Sequence, residues 1–298
     1  MKTKSKLARR QNLFGYLFIL PAFLIIGVFS LYPIVNGLYL SFCSWDGLGE
    51  VKLNGLENYV TMLGDEVFGT ALINTLLFVA GTVPAIILLS LLFAYLLNQK
   101  IAGKKFFRSV YFLPSVTSGV AIAMIWKWIF NDNTGLLNSM LYSMGFESVN
   151  WITSSQFSLI SVMIMSVWKS LGTNIIIMLA ALQGVPRDLY EAAGMDTKSG
   201  FKKFIHITVP MISPTIFLIM VMSVINAFQA FDQVMALTGG GPGNSSMVVV
   251  LYIYNQAFKN FNMGYASTLA YVLFMIILAV TLIQWYGKKK WVFSEVEG

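Results

Sequence analysis

Six stretches of roughly twenty mostly apolar residues run through the chain, near 13–36, 71–97, 109–130, 158–182, 207–230 and 264–287. At about 1.5 Å per residue each is long enough, as a helix, to cross about 30 Å of hydrocarbon. Only 11% of the 298 residues are charged, where soluble domains carry about 25%. Hydrocarbon offers no water to backbone N–H and C=O groups, so a spanning segment must satisfy them internally. The expected class is therefore all-α, a polytopic membrane protein with six transmembrane helices. Pro21, Pro84, Pro114 and Pro214 fall inside spans and predict kinks. Basic residues precede the first run as in a signal peptide. The run from Leu13 to Val35 is too long for that, and no small-residue cleavage site ends it, so it reads as an uncleaved first span.

Six spans put both termini on one side, together with segments 98–108 and 183–206. That side holds Lys2, Lys4, Lys6, Arg9 and Arg10; Lys100, Lys104, Lys105 and Arg108; Arg187, Lys198, Lys202 and Lys203; and Lys288, Lys289 and Lys290. These are sixteen of the twenty basic residues, and the opposite side has only Lys52 and Lys259. Positive charge collects on the cytoplasmic side, so both termini are expected there. The net charge of +7 is thus a topological signal rather than a nucleic-acid footprint. Lys127 and Lys169 remain inside spans. Counted along a straight helix, Lys127 lies about 28 Å beyond Arg108 and reaches the outer interface, where its stem can snorkel. Lys169 either snorkels or faces a wet cavity.

The chemistry of most enzymes is missing. There is no GxxxxGK[ST] loop, and the glycine-rich run Gly239–Gly243 lacks the lysine and follows no strand. His206 is the only histidine and Cys43 the only cysteine, so neither a zinc cluster nor an intramolecular disulfide can form. No pair of carboxylates lies in a span to serve as acid and base. Catalytic, metal and cofactor sites are expected to be absent. The outer loops, about 37–70, 131–157 and 231–263, are too short for separate domains of ordinary size but can meet a soluble partner.

One polar interruption stands out: RDLYEAAGMDTKSGFKKFIH, residues 187–206. Arg187 to Met195 favour helix. Tyr190, Ala193 and Gly194 share a side, Ser199 and Gly200 read as a break, and Phe201, Phe204 and Ile205 as anchors of a second short helix. A helix–turn–helix on the membrane surface is either a docking element for a partner or an ordinary amphipathic loop.

Glu191-Ala192-Ala193, followed by Asp196, Ile207 and Pro210, resembles the EAA loop of ABC importer permeases. LQGVPRDLYEAAGMD and the following VPMISP are similar to the carbohydrate branch, of maltose type. So are LTGGGPGNSS (237–246), YIYNQAF (252–258) and the early LPAFLIIGVFSLYP. The likeness runs along most of the chain and is densest over about 70–287. Two positions depart from the pattern: Thr197 stands where the family has Gly, and Val209 where it has Leu before Pro210. The resemblance implies a type I ABC importer permease fold. It divides the chain into a segment 1–69 holding the first helix and first outer loop, a five-helix core 70–287 with the EAA loop at 187–210, and a cytoplasmic tail 288–298.

The same resemblance implies a permease subunit of an ATP-driven importer in the cell membrane of a bacterium or archaeon. It would form half of a path for a carbohydrate, with no enzymatic activity of its own and no nucleic-acid partner. Its partners would be a second permease subunit (a heterodimer), two ATPase subunits, an extracellular solute-binding protein and membrane lipid. Coupling to the ATPase falls to Glu191, Ala192, Ala193, Gly194, Asp196, Phe204 and Pro210, with Glu191 pairing with a basic group. Another polar solute such as a glycerol phosphate ester stays open, as does a membrane-embedded enzyme or scaffold. For the solute path, Ser166, Ser170 and Thr173 follow i, i+4, i+7 spacing on the fourth span, and Asn226 and Gln229 share a face of the fifth. Both sets match cavity-lining positions in the carbohydrate permeases, although polar residues of this kind also glue membrane helices together.

Overall fold

The computed structural model describes residues 6–99 and 103–293, without side-chain detail for 6–13, Lys105 and Asp196. Lys2, Lys4 and Lys100, the side chains of Lys6, Arg9, Arg10 and Lys105, and the end of the tail lie outside the described residues. Within them, five helices are long and apolar enough to cross a membrane: Phe14–Ser41, Glu66–Asn98, Ser158–Gly184, Gly200–Phe228 and Met263–Lys290. A bent pair, Phe106–Val116 with Gly119–Ile129, brings the number to six if it is counted as one span. The chain divides into two compact units.

The first unit takes in 1–64 and 253–272. α1 (Lys6–Ile26) runs through a π turn into α2 (Tyr32–Ser41). Nearly every described apolar side chain of α1 is exposed, Phe18 by 84%, a surface viable only against lipid or another apolar partner. A two-residue hairpin follows, β1 (Cys43–Ser44) against β2 (Lys52–Leu53), a small departure from the all-helical expectation. In its loop the Asp46 carboxylate accepts N–H bonds from Gly49 (2.7 Å) and Leu48 (2.9 Å), which hold its carboxyl below the usual carboxylate range. Next comes α3 (Glu57–Leu63), whose buried Asn58 donates to the Ser41 and Cys43 carbonyls at 3.0 and 2.9 Å. Cys43 is buried and free, its thiol directed at the Tyr39 carbonyl.

The second unit takes in 65–252 and 273–298. α4 (Glu66–Asn98) is capped by Asp65, which accepts from the N–H groups of Val67 and Phe68. α4 packs along α8 (Ser158–Gly184). Ala94, Leu97, Ile175, Met178, Leu179 and Leu182 share one apolar cluster with Ile212 and Ile219.

Between α4 and α8 the expected third span, 109–130, is not one straight helix. It is α5 (Lys104–Val116) and α6 (Gly119–Ile129), bent by 105°. Pro114 has no N–H and its ring crowds the preceding turn, while Thr117 and Ser118 are extended. The carbonyls freed at the end of α5 are met locally. Ser115 donates to Phe112 O (2.7 Å) and Thr117 to Leu113 O (2.8 Å). The straight-helix distance from Arg108 to Lys127 therefore does not apply; Lys127 is exposed in the last turn of α6. α5 lies so close to α8 that a Cβ on Gly172 would meet the Tyr111 carbonyl oxygen at 2.1 Å.

α7 (Leu136–Ser143) carries the buried Asn138. Its amide donates to Asp132 O and Val149 O and accepts from Val149 N–H and the Trp151 indole, organising the second loop. After α8 come α9 (Arg187–Asp196), α10 (Gly200–Lys203), a π turn Phe204–Thr208 and α11 (Val209–Phe228). α10 is not a separate surface helix. It is the first turn of the 29-residue span Gly200–Phe228. The chain then forms α12 (Asp232–Leu237), the glycine-rich loop, α13 (Val249–Tyr254) and α14 (Met263–Gly287). That loop is a clamped element rather than an open turn. Asn74 donates to Asn244 O and Met247 O (both 3.0 Å), Thr75 accepts from Val249 N–H, and Ser246 is fully buried.

Gly172→Val should disrupt the α5–α8 crossing, because the obstacle is backbone that cannot rotate away. A loss of stability of about 1–3 kcal/mol or more is expected, seen as a lower melting temperature of the detergent-purified protein. Gly184→Val, at a position with open space around it, serves as the control.

Candidate functional site

α8 has two faces. Met165, Ile175, Met178 and Leu182 turn into the packed core. Ser166, Lys169, Ser170, Thr173, Asn174 and Ile177 follow i, i+3, i+4, i+7, i+8, i+11 and line a cavity of about 670 Å³. The remaining walls come from α4 (Phe78, Thr82, Ile86), from Ser115 at the end of α5, from α11, and from the turn into α12. At that turn α11 stops at Phe228 and the chain reverses through Gln229 to Phe231. This brings Asn226, Gln229, Asp232 and Gln233 to the cavity edge. All five positions expected from the sequence, Ser166, Ser170, Thr173, Asn226 and Gln229, stand on this one wall system. Lys169 lines the same cavity. Asp232, Gln233, Asn174 and Ser115 were not singled out from the sequence. The first two lie past the helix end, where periodicity gives no signal.

The polar lining falls into two groups. Thr82, Ser115 and Asn174 bond to carbonyls of their own helices at 2.6–2.8 Å. The side chains of Ser166, Lys169, Ser170, Thr173, Ser223, Asn226, Gln229, Asp232 and Gln233 have no hydrogen-bond or ion-pair partner among the described residues. Ser166 is 6% exposed, and its hydroxyl is fully buried. A wall of unused donors and acceptors beside the Phe78 ring suits a hydroxyl-rich solute.

At the other end of α8, α9 stands out on the surface. Glu191, Ala192 and Gly194 are exposed, Ala193 is half-buried and Met195 is 90% exposed. The Asp196 side chain lies outside the described residues. Tyr190 fastens the helix: its hydroxyl lies 2.8 Å from Thr208 Oγ1, and its carbonyl accepts from Lys203 Nζ at 3.3 Å. Phe204 is half-buried and stacks edge-on to Tyr95 at 5.0 Å, an anchor rather than an exposed contact. Phe201 is 75% exposed and Ile205 also points outward, so only Phe204 of the three expected anchors packs inward. The break comes earlier than expected, at Thr197, and Ser199 caps α10 by accepting from Lys202 N–H. Pro210 lies in the first turn of α11, where its missing N–H accompanies the wider π turn closed from Val209 N–H to Phe204 O. His206 turns its Nδ1 to the Lys202 carbonyl at 3.0 Å. The described residues contain no group of three or more metal-ligating side chains.

Residues 86–288 match the family described as the binding-protein-dependent transport system inner membrane component. The chain is 36% identical over 283 residues to the probable ABC transporter permease protein YurN of Bacillus subtilis, covering 93% of this chain and 97% of the relative. It is 35% identical to the lactose transport system permease protein LacF of Rhizobium radiobacter, covering 97% and 98%. It is 37% identical to the arabinooligosaccharides transport system permease protein AraP of Bacillus subtilis, covering 90% and 86%. A solved bacterial ABC transporter involved in import of the acidic polysaccharide alginate shares the fold at a TM-score of 0.80 and 23% identity, over 94% of this chain and 96% of that one. This chain accordingly belongs to the inner membrane components of binding-protein-dependent transport systems, the permease subunits of ABC importers.

Proposed function

We propose that the chain forms half of a translocation path for a carbohydrate, powered by a separate ATPase and supplied by an extracellular solute-binding protein. The observation that carries this reading is the cavity of about 670 Å³, whose free hydroxyl, amide and charged groups can replace the water around a sugar. Support also comes from relatives named for transport of lactose and of arabinooligosaccharides, and from a solved likeness in complex with a periplasmic protein bound to an alginate pentasaccharide. In this reading a second permease completes the path and two ATPases dock beneath, each taking one α9 helix. Both termini and residues 187–210 lie in the cytoplasm, and the core that does this work is 70–287.

Three expectations test the reading. Asn226→Leu and Gln229→Leu should each lower uptake about fivefold or more, because a solute hydroxyl then loses a partner worth about 1 kcal/mol. Wild-type uptake by both variants at normal expression would place the path elsewhere. Glu191→Ala should lower uptake and solute-stimulated ATPase activity together, about tenfold, through loss of one charge-assisted bond. Membrane insertion should be unchanged, since Glu191 is exposed and has no partner among the described residues. Co-purification of the ATPase at wild-type levels with intact uptake would remove the docking role. For orientation, single cysteines at Ser199 and Asn133 in a Cys43→Ser background should differ in intact cells. An impermeant thiol reagent should label position 133 and spare 199, and the reverse pattern would invert the topology.

A further inference from the structure

Among the described residues only two that line the cavity carry charge, Lys169 on α8 and Asp232 at the start of α12. They converge on Gly119, the first residue after the bend between α5 and α6. A Cβ built on Gly119 would stand 2.8 Å from Lys169 Nζ and 3.8 Å from Asp232 Oδ2. The two charged heads thus flank one point without forming an ion pair, and neither has another partner among the described residues. One turn before Lys169 on the same face, the buried Ser166 hydroxyl also lacks a partner.

We propose that Lys169 and Asp232 act as a split pair that selects an uncharged sugar, an oligosaccharide of neutral hexoses or pentoses, and disfavours acidic ones. The inference rests on the reading of the cavity as the solute path. Each sugar hydroxyl both donates and accepts. An ammonium that only donates, beside a carboxylate that only accepts, matches two neighbouring hydroxyls of one ring, with Ser170 placed for the next. Bonds to charged groups are the stronger kind, so the pair grips hydroxyls more firmly than amides would. Its charges cancel, so a uronate entering the cavity gives up its hydration and meets no uncompensated positive charge. Any carboxylate close enough to reach Lys169 must also approach Asp232. Gly119 keeps the space between the heads open, because a side chain there would push the ammonium aside.

The test is direct binding of trisaccharides to the purified, complete transporter, by saturation-transfer NMR and competition. The neutral set is maltotriose, raffinose and arabinotriose, and the acidic probe is trigalacturonate. In the wild type at least one neutral member should bind about tenfold or more tighter than trigalacturonate. Asp232→Asn leaves this chain's share of the lining with one net positive charge. It should weaken the neutral ligand and strengthen trigalacturonate, shifting their ratio by about tenfold or more, whereas Asp232→Glu should keep the wild-type order. Trigalacturonate preferred by the wild type, or a ratio that Asp232→Asn leaves unmoved, overturns the pair's role while leaving a carbohydrate path intact. Failure of every sugar to bind the wild type overturns the carbohydrate reading as well. The wild-type comparison stands without any variant, so an unstable variant does not rescue the proposal.

Discussion

Everything distinctive in this chain follows from the need to satisfy backbone groups where a helix stops inside or beside hydrocarbon. Helices do this for themselves, and breaks do not. At several breaks a short polar side chain takes over. Ser115 and Thr117 accept the task at the end of α5, Asn138 holds four groups of the second loop, and Asn74 with Thr75 holds the glycine-rich loop. In the first unit Asn58 does the same between Ser41 and Cys43. Each asparagine is buried, where losing one bond leaves a carbonyl stranded at a cost of about 1–3 kcal/mol. These residues are structural, and mutating them tests folding rather than transport.

Two breaks make the cavity possible. Unbroken helices would close against one another with apolar faces, as α4 and α8 do around Ile175 and Met178. The bend at 117–118 sends α6 away from the direction of α5, and the reversal after Phe228 returns the chain past the helix end. Between them the polar face of α8 is left without a covering helix. Its free groups are costly to stability, since Ser166 and Lys169 gain nothing from the protein around them. A chain keeps such groups when something other than the protein meets their bonding capacity.

Hydropathy made the spans legible, and spacing placed Ser166, Ser170 and Thr173 on one helix face, but that this face lines a cavity came only from the resemblance to the carbohydrate permeases. The bend in the third span was not legible in the same way. Hydropathy reports composition and is blind to direction, so 109–130 reads as one span, although Pro114 and Gly119 bracket the break. Thr117, an unremarkable residue in an apolar run, carries part of that break through a bond to its own helix. Asn74 could not be read as the holder of the glycine-rich loop, since its partners lie 170 and 173 residues away. Phe201 looked like an anchor for its apolarity. It is exposed because α10 is the first turn of a span whose inward side is taken by Phe204.

That same span gives the proposed coupling a physical route. Gly200–Phe228 is one element of 29 residues, about 43 Å at helical rise. At one end the π turn holds Thr208 against the Tyr190 hydroxyl, and Lys203 reaches the Tyr190 carbonyl, so α9 is tied to it at two points. At the other end it presents Asn226 and Gln229 to the cavity. A force on α9 enters this rod through short, directional bonds rather than through a flexible linker. Packed interiors are stiff and respond by switching between arrangements instead of stretching. Displacement at Glu191 would therefore arrive at Asn226 as movement of a whole helix face against α8. Pro210 and Pro214 sit near the driven end, and the Ser213 hydroxyl there donates to Pro210 O and accepts from Phe293 N–H. The driven end is thereby anchored to the tail, and the helix runs unbroken from Val209 through Phe228 to the cavity.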